Sequence, residues 1–314
     1  MANMQKIVVI GGGTGLSVLL RGLKTYPVDI SAIVTVADDG GSSGWLRKEL
    51  NVPPPGDVRN VLVSLAEVEP LIERLFQHRF ENGEGLSGHS LGNLLIAGMT
   101  SITGDFARGI SELSAVLNVR GNVLPASNDS IELVAKMNDG SVVHGESNIP
   151  KARKQVKKMF IEPTHPKALP ASIQAIRQAD KIIMGPGSLY TSVLPNLLVP
   201  DIAKEICKAE AERIYICNVM TQSGETDDFK ASDHIKALHD HIGETMIDRI
   251  FVNDTEIPAD LIERYAEENA SPVVCDYASL QALGLHVISD DFIRVDGPLL
   301  RHDADKISAM ILEG

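Results

Sequence analysis

Short, wholly apolar runs alternate along this chain with longer amphipathic stretches, and the first forty residues set the pattern. Lys6 to Ile10 (KIVVI) is a β-rich run bounded by glycine, whereas Leu16 to Leu23 spaces its apolar residues at helical intervals until Tyr26-Pro27 stops it. A second apolar run, Ile30 to Ala37 (ISAIVTVA), ends in Asp38-Asp39-Gly40-Gly41. Strand, glycine turn, helix and strand make a β-α-β unit, and its two strands are expected to be parallel.

The same order returns in the second half. Lys181 to Met184, Arg213 to Cys217 and Arg249 to Val252 read as strands. Helical stretches at Ala203 to Ala211, Ser232 to His241 and Ala259 to Glu268 separate or follow them, and Asp303 to Leu312 reads as a docked terminal helix. Between the halves, Glu132 to Glu146 has two β-rich arms around Asn138-Asp139-Gly140, residues that tolerate positive φ and so signal a hairpin. The expectation is an α/β, Rossmann-like, doubly wound and mostly parallel sheet. It forms one domain over residues 1–314, with a small antiparallel β-hairpin insert near 122–162.

Composition narrows the partners. Acidic residues outnumber basic ones by 42 to 29, giving a net charge of -13, and no basic stripe with interleaved aromatics compensates, so nucleic acid is not the expected partner. The basic run Lys151 to Lys158 (KARKQVKK) reads as a solvated helix face. Cys207, Cys217 and Cys275 are odd in number, far apart and without metal or redox spacing, which suits a reducing compartment. No apolar run reaches the length of a membrane span and no signal peptide precedes the first strand, so a cytoplasmic protein is expected.

The candidate chemistry lies at strand ends. Gly11, Gly12, Gly13, Thr14 and Gly15 stand where a buried strand meets a helix, so bare amides and the positive helix end can face a phosphate. Leu16 replaces the third glycine of the dinucleotide fingerprint, and the Gly-Lys-Ser/Thr ending of a P-loop is absent, which leaves the ligand class open. Asp38 and Asp39 follow the second strand, where an acidic side chain reaches ribose hydroxyls or a magnesium ion. Beyond them Ser42, Ser43 and Gly44 can offer hydroxyls and amides to an anion, Asp57 can cap a helix or join the site, and Arg59 lies near it.

Gly88-His89-Ser90-Leu91-Gly92 matches the nucleophile elbow in form, but a polar loop precedes it instead of a buried strand, so Ser90 or Ser87 is expected to cap a helix. His89 and Asn93, one turn apart, can face the same cleft. Gly185, Gly187, Ser188, Tyr190 and Thr191 repeat the anion-binding logic after another strand, and Asn218, Thr221 and Thr226 do so after a third. The remaining histidines show no metal-ligand spacing, and His234 with His241 reads as a helix surface.

Six blocks in order, GGGTG at 11–15, DDGGSSG at 38–44, PPGDVRN at 54–60, GHSLGNLL at 88–95, GPGSLYTSVLPNLLV at 185–199 and NVMTQSGET at 218–226, together resemble the YvcK group of gluconeogenesis factors within the wider CofD-like family. The resemblance implies a Rossmann-like fold and a UDP-sugar ligand such as UDP-N-acetylglucosamine, with a NAD-like dinucleotide suiting the same cleft. It implies a regulator of cell shape and wall synthesis during gluconeogenic growth, compatible with a protein partner and with self-association. The enzyme branch, similar to 2-phospho-L-lactate transferase, implies instead a metal-assisted transfer of phospholactate to a deazaflavin. The DDGGSSG and GHSLGNLL blocks look like the gluconeogenesis-factor branch.

Overall fold

Strand β1 (Gln5–Gly11) is the centre from which the molecule is built, because Ile7 to Ile10 are at most 2% exposed and must be covered on both faces. Burial of each such aliphatic side chain contributes about 1.5–3 kcal/mol, enough to fix the strand at the middle of a sheet. The computed structural model describes residues 4–313 apart from 69, 244 and 298. Within them, β1 pairs in parallel with β2 (Val28–Val34) on one side and with β7 (Lys181–Met184) on the other. Beyond β2 lies β3 (Asn122–Pro125). Beyond β7 come β8 (Glu212–Ile216), β9 (Arg249–Asn253) and β10 (His286–Asp290). The order β10-β9-β8-β7-β1-β2-β3 is a wholly parallel seven-stranded sheet.

Helices flank it. On the path from β1 to β3 lie α1 (Gly13–Leu23), α2 (Gly41–Leu50), α3 (Gly56–Leu65), α4 (Pro70–Gln77), α5 (Leu91–Thr103) and α6 (Phe106–Val116). The return to β7 uses α7 (Pro170–Gln178), and α8 (Leu194–Leu197) and α9 (Pro200–Lys208) lead on to β8. The chain then runs through α10 (Ala231–Ile242), α11 (Ala259–Glu267) and α12 (Tyr277–Ala282). Helix α1 packs against α3 and against the last helix, α13 (Ala304–Glu313), which makes the predicted terminal docking real. A Cβ on Gly22 would stand 2.6 Å from the Ala304 carbonyl oxygen, so the absence of a side chain there permits the α1–α13 approach.

The antiparallel insert is smaller than expected. It comprises β4 (Glu132–Met137), β5 (Val142–His144) and β6 (Val156–Glu162) in the order β5-β4-β6, whereas residues 122–125 belong to the main sheet as β3. Part of the basic run is strand, not helix face: in β6 Val156, Met159 and Ile161 are buried while Lys157 and Lys158 are exposed. The body holds the insert by defined bonds, among them Met159 N–H donating to His241 Nε2 at 2.8 Å and Ser147 N–H donating to Asp39 Oδ1 at 2.8 Å. His241 therefore serves as an anchor, and His234 is fully buried, so neither forms the helix surface that the sequence suggested. A short hairpin of β11 (Ile293–Asp296) and β12 (Leu299–His302) precedes α13.

Candidate functional site

The strand order reverses between β1 and β7, since the chain travels outward to β3 and then returns to the opposite side of β1. In an open parallel sheet this switch point leaves a crevice beyond the carboxyl ends of the two strands. A cleft of about 690 Å³ lies there. Its floor is the turn from Gly12 to Gly15, and one wall is the loop after β7 with Gly187, Ser188 and Thr191. The two turns touch through backbone: a Cβ on Gly15 would lie 2.9 Å from the Pro186 carbonyl oxygen. Gly13 has φ +68°, in the left-handed region that favours glycine. Helix α1 starts at that turn with no cap from Gly12 itself, and its positive end lies at the cleft.

Further loops complete the wall. Asn218 and Thr221, after β8, line the cleft as expected. Gly187 N–H donates to Asn218 Oδ1 at 3.4 Å, Asn218 Nδ2 donates to Gln222 Oε1 at 3.1 Å, and Gln222 Nε2 donates to Ser188 Oγ at 2.7 Å. This chain of amides sets the two loops in one relative position. Arg301 and His302 at the end of β12 close the other side, and His302 Nε2 carries the proton toward the Cys217 carbonyl at 3.0 Å. Past Thr14, Arg301 and His302 the cleft adjoins a second hollow of about 620 Å³ bordered by Arg21 and Arg294.

The acidic side is unusual electrostatically. Asp57 is half-buried on the cleft wall and its carboxylate accepts the Gly13 N–H; burial, then the charge of Asp38, pushes its pKa up to about 7. Gly12 is bare because Asp57 comes close: a Cβ there would sit 2.5 Å from Asp57 Oδ2. Asp57 is thus the second residue of α3 and a partner of the glycine turn, not the cap of its own helix. Glu146, delivered by the insert, is raised to about 8 by burial and by the charges of Asp38, Asp57, Asp39 and Glu225. Behind the wall Glu225 is raised to about 7 by burial, although it accepts a hydrogen bond from Thr191 Oγ1 at 3.1 Å.

Among the described residues no group of three or more His, Cys, Asp or Glu side chains is placed to hold a metal ion. Magnesium, however, is usually held by one or two carboxylates with ligand phosphates, and Asp38 and Glu146 on the cleft wall fit that complement.

Several expected residues lie elsewhere. Asp39 turns to the insert and accepts the Ser147 N–H. Tyr190 is 3% exposed and packs edge-on against Phe229 and His241, Thr226 is buried and accepts the Gln222 N–H, and Gly44 presses on the Asp39 carbonyl. Gly11 ends β1, its carbonyl accepting from Thr35 and Asn196. Ser42, Ser43, Arg59 and Asn93 border a separate, smaller pocket, with His89 bonded to Ser42 beside it. Ser90 caps α5, accepting the Asn93 N–H at 3.2 Å; Ser87 instead bonds the Glu81 carbonyl. Glu146, Arg301 and His302 carried no local sign in the sequence: Glu146 follows β5 and the other two end β12, in small elements whose docking only the tertiary fold decides.

The sequence profile of the CofD family, described as 2-phospho-L-lactate transferase CofD, matches residues 7–293. The chain is 64% identical to the gluconeogenesis factor of Halalkalibacterium halodurans, over 99% of this chain and 96% of that protein. It is 56% identical to the gluconeogenesis factor of Bacillus subtilis over 100% and 99% of the two chains. A crystal structure of a Bacillus halodurans protein superposes with a TM-score of 0.97 at 64% identity, covering 99% of this chain and 100% of that one. By its profile, its near full-length relatives and its superposition, the chain belongs to the CofD-like family and within it groups with the gluconeogenesis factors.

Proposed function

We propose that the chain binds a UDP-sugar such as UDP-N-acetylglucosamine in the crevice between β1 and β7, and that binding itself is the output. The observation that carries this reading is the start of α1 at a bare glycine turn that lines a cleft large enough for a nucleotide. Arg301 is the arginine on the cleft wall and supplies charge for the diphosphate. Asp38 offers an acceptor for ribose hydroxyls or, with Glu146, oxygen ligands for a magnesium ion carried in on the phosphates. A NAD-like dinucleotide is the second ligand of the right class. In the cytoplasm such a protein reports nucleotide-sugar supply to a protein partner, in support of cell shape and wall synthesis during gluconeogenic growth.

One observation favours a second reading, group transfer. A half-buried carboxyl pushed up to about 7 beside the glycine turn, as Asp57 is, suits proton transfer. Incubation with magnesium, a phospholactyl nucleotide and a deazaflavin acceptor separates the readings. The regulatory reading expects no phosphodiester product, and mass spectrometry of ligand released from freshly purified protein should show a uridine nucleotide. Product formed by wild type and lost in Asp57→Asn would establish the transferase instead.

A further inference from the structure

Arg59 is 8% exposed, and its direct hydrogen-bond partners carry no charge. Its Nη1 donates to Ser90 Oγ and to Asn93 Oδ1 at 3.1 Å, and its Nη2 donates to Asn60 Oδ1 at 2.9 Å. All three acceptors are uncharged. The buried Nε has no partner, and no salt bridge among the described residues includes Arg59. A buried cation bonded only to neutral groups is costly; the nearby charges of Asp38 and Asp57 offset part of that cost, and the residue borders a pocket of about 190 Å³.

The opposite wall of that pocket is the start of α2. Gly40 precedes the helix and gives it no side-chain cap, so the first amides of a ten-residue helix open on the same space as Arg59. Ser42 and Ser43 add hydroxyls, which His89 Nδ1 at 3.0 Å and Asn93 Nδ2 at 3.4 Å hold in position. Arg79 brings a second guanidinium to the rim. Asp38 and Asp57 also border the pocket and the main cleft alike, so the two spaces adjoin without being one. Asp38 Oδ1 accepts the Gly40 N–H at 2.9 Å and Asp57 accepts the Gly13 N–H, so both carboxylates are already engaged by backbone.

We infer that this pocket is a second anion subsite, built for the phosphate group of a phosphate monoester that is bound at the same time as the nucleotide. The helix start, two hydroxyls and a guanidinium match the tetrahedral oxygens of a phosphate, and the volume is too small for a second whole nucleotide. Only the simultaneous occupancy rests on the nucleotide reading above. The subsite itself stands on Arg59 and α2.

Inorganic phosphate is the probe, followed by the amide resonances of Gly41, Ser42 and Ser43 in the full chain, with and without saturating UDP. These resonances should shift saturably at millimolar phosphate, and should still do so when UDP fills the main cleft. Arg59→Gln should weaken the phosphate response at least tenfold. Asn93→Asp guards against misfolding of that variant: it sets a carboxylate against the Arg59 guanidinium, so it should fold with a melting temperature no lower than wild type and lose the phosphate response. Amides that do not move at 50 mM phosphate, a response abolished by UDP, or a full response in Asn93→Asp would each overturn the inference. If UDP perturbs no resonance while phosphate moves these three, the nucleotide reading fails and the subsite remains.

Discussion

Asp57, Glu146 and Glu225 are carboxyl groups held where ionisation is costly, with pKa values pushed to about 7, 8 and 7. A pKa raised on folding contributes stability that is fully present below the unfolded value and is lost as pH rises through the folded one. From ordinary values of 3.8 and 4.5 to these raised ones, the window runs from about pH 4 to about pH 8. The ligand-free protein should therefore melt at a lower temperature at about pH 8.5 than at about pH 6. Glu146→Gln should remove part of that loss and be the more stable form at the higher pH. A variant whose melting temperature followed wild type at both values would show that Glu146 ionises without penalty.

At this scale the sequence was legible where a backbone need dictated the residue and blind where packing chose a direction. Gly12, Gly13 and Gly15 are read directly, since each has a backbone or close-approach reason to lack a side chain. Asp38 and Asp39 are neighbours of identical type, yet one faces the cleft and the other turns to the insert. Nothing local distinguishes them. Tyr190 sits in a loop that does line the cleft, but its ring satisfies itself against Phe229 and His241.

Among elements, β1, β2, β7, β8 and β9 followed from their apolar runs, whereas β3 was read into the insert and β10 was not foreseen, and the error over 151–158 came from reading lysines as a solvated helix. The strand alternation is plain only once β4 lies beside β6 to bury Val156 and Met159. Two predictions belong here. Gly15→Ala would press a methyl group on the Pro186 carbonyl, so it should cost about 1–3 kcal/mol by denaturant unfolding. It should also move the two turns apart and weaken nucleotide binding; unchanged stability would mean that the turns are not in contact. Ser90→Ala removes the cap of α5 and one acceptor of Arg59, and should cost roughly 1–2 kcal/mol. Covalent labelling of Ser90 by a fluorophosphonate would contradict the capping role.

For the whole molecule, the reversal of strand order brings the loops after β1, β7 and β8 to one crevice, and the insert and the β11–β12 hairpin add Glu146 and Arg301 to its rim. With a net charge of -13, the anionic ligand proposed above would approach against the overall field, so its affinity would come from local donors and from a magnesium ion offsetting the carboxylates. Nucleotide affinity should accordingly rise when magnesium is added, and calorimetry of Asp38→Asn should lose that increment; equal affinity with and without the ion would remove magnesium from the site.

Ligand binding at the β1–β7 crevice is tested by the melting temperature of protein shown to be free of bound nucleotide, scanned with UDP-N-acetylglucosamine and with NAD. A ligand that binds only the folded state stabilises it by about 2.7 kcal/mol at a hundredfold excess over Kd. The melting temperature should rise by several degrees with the UDP-sugar at millimolar concentration, and the rise should be reduced or lost in Gly15→Ala. A melting temperature unmoved by either ligand, with or without magnesium, would contradict binding in that crevice.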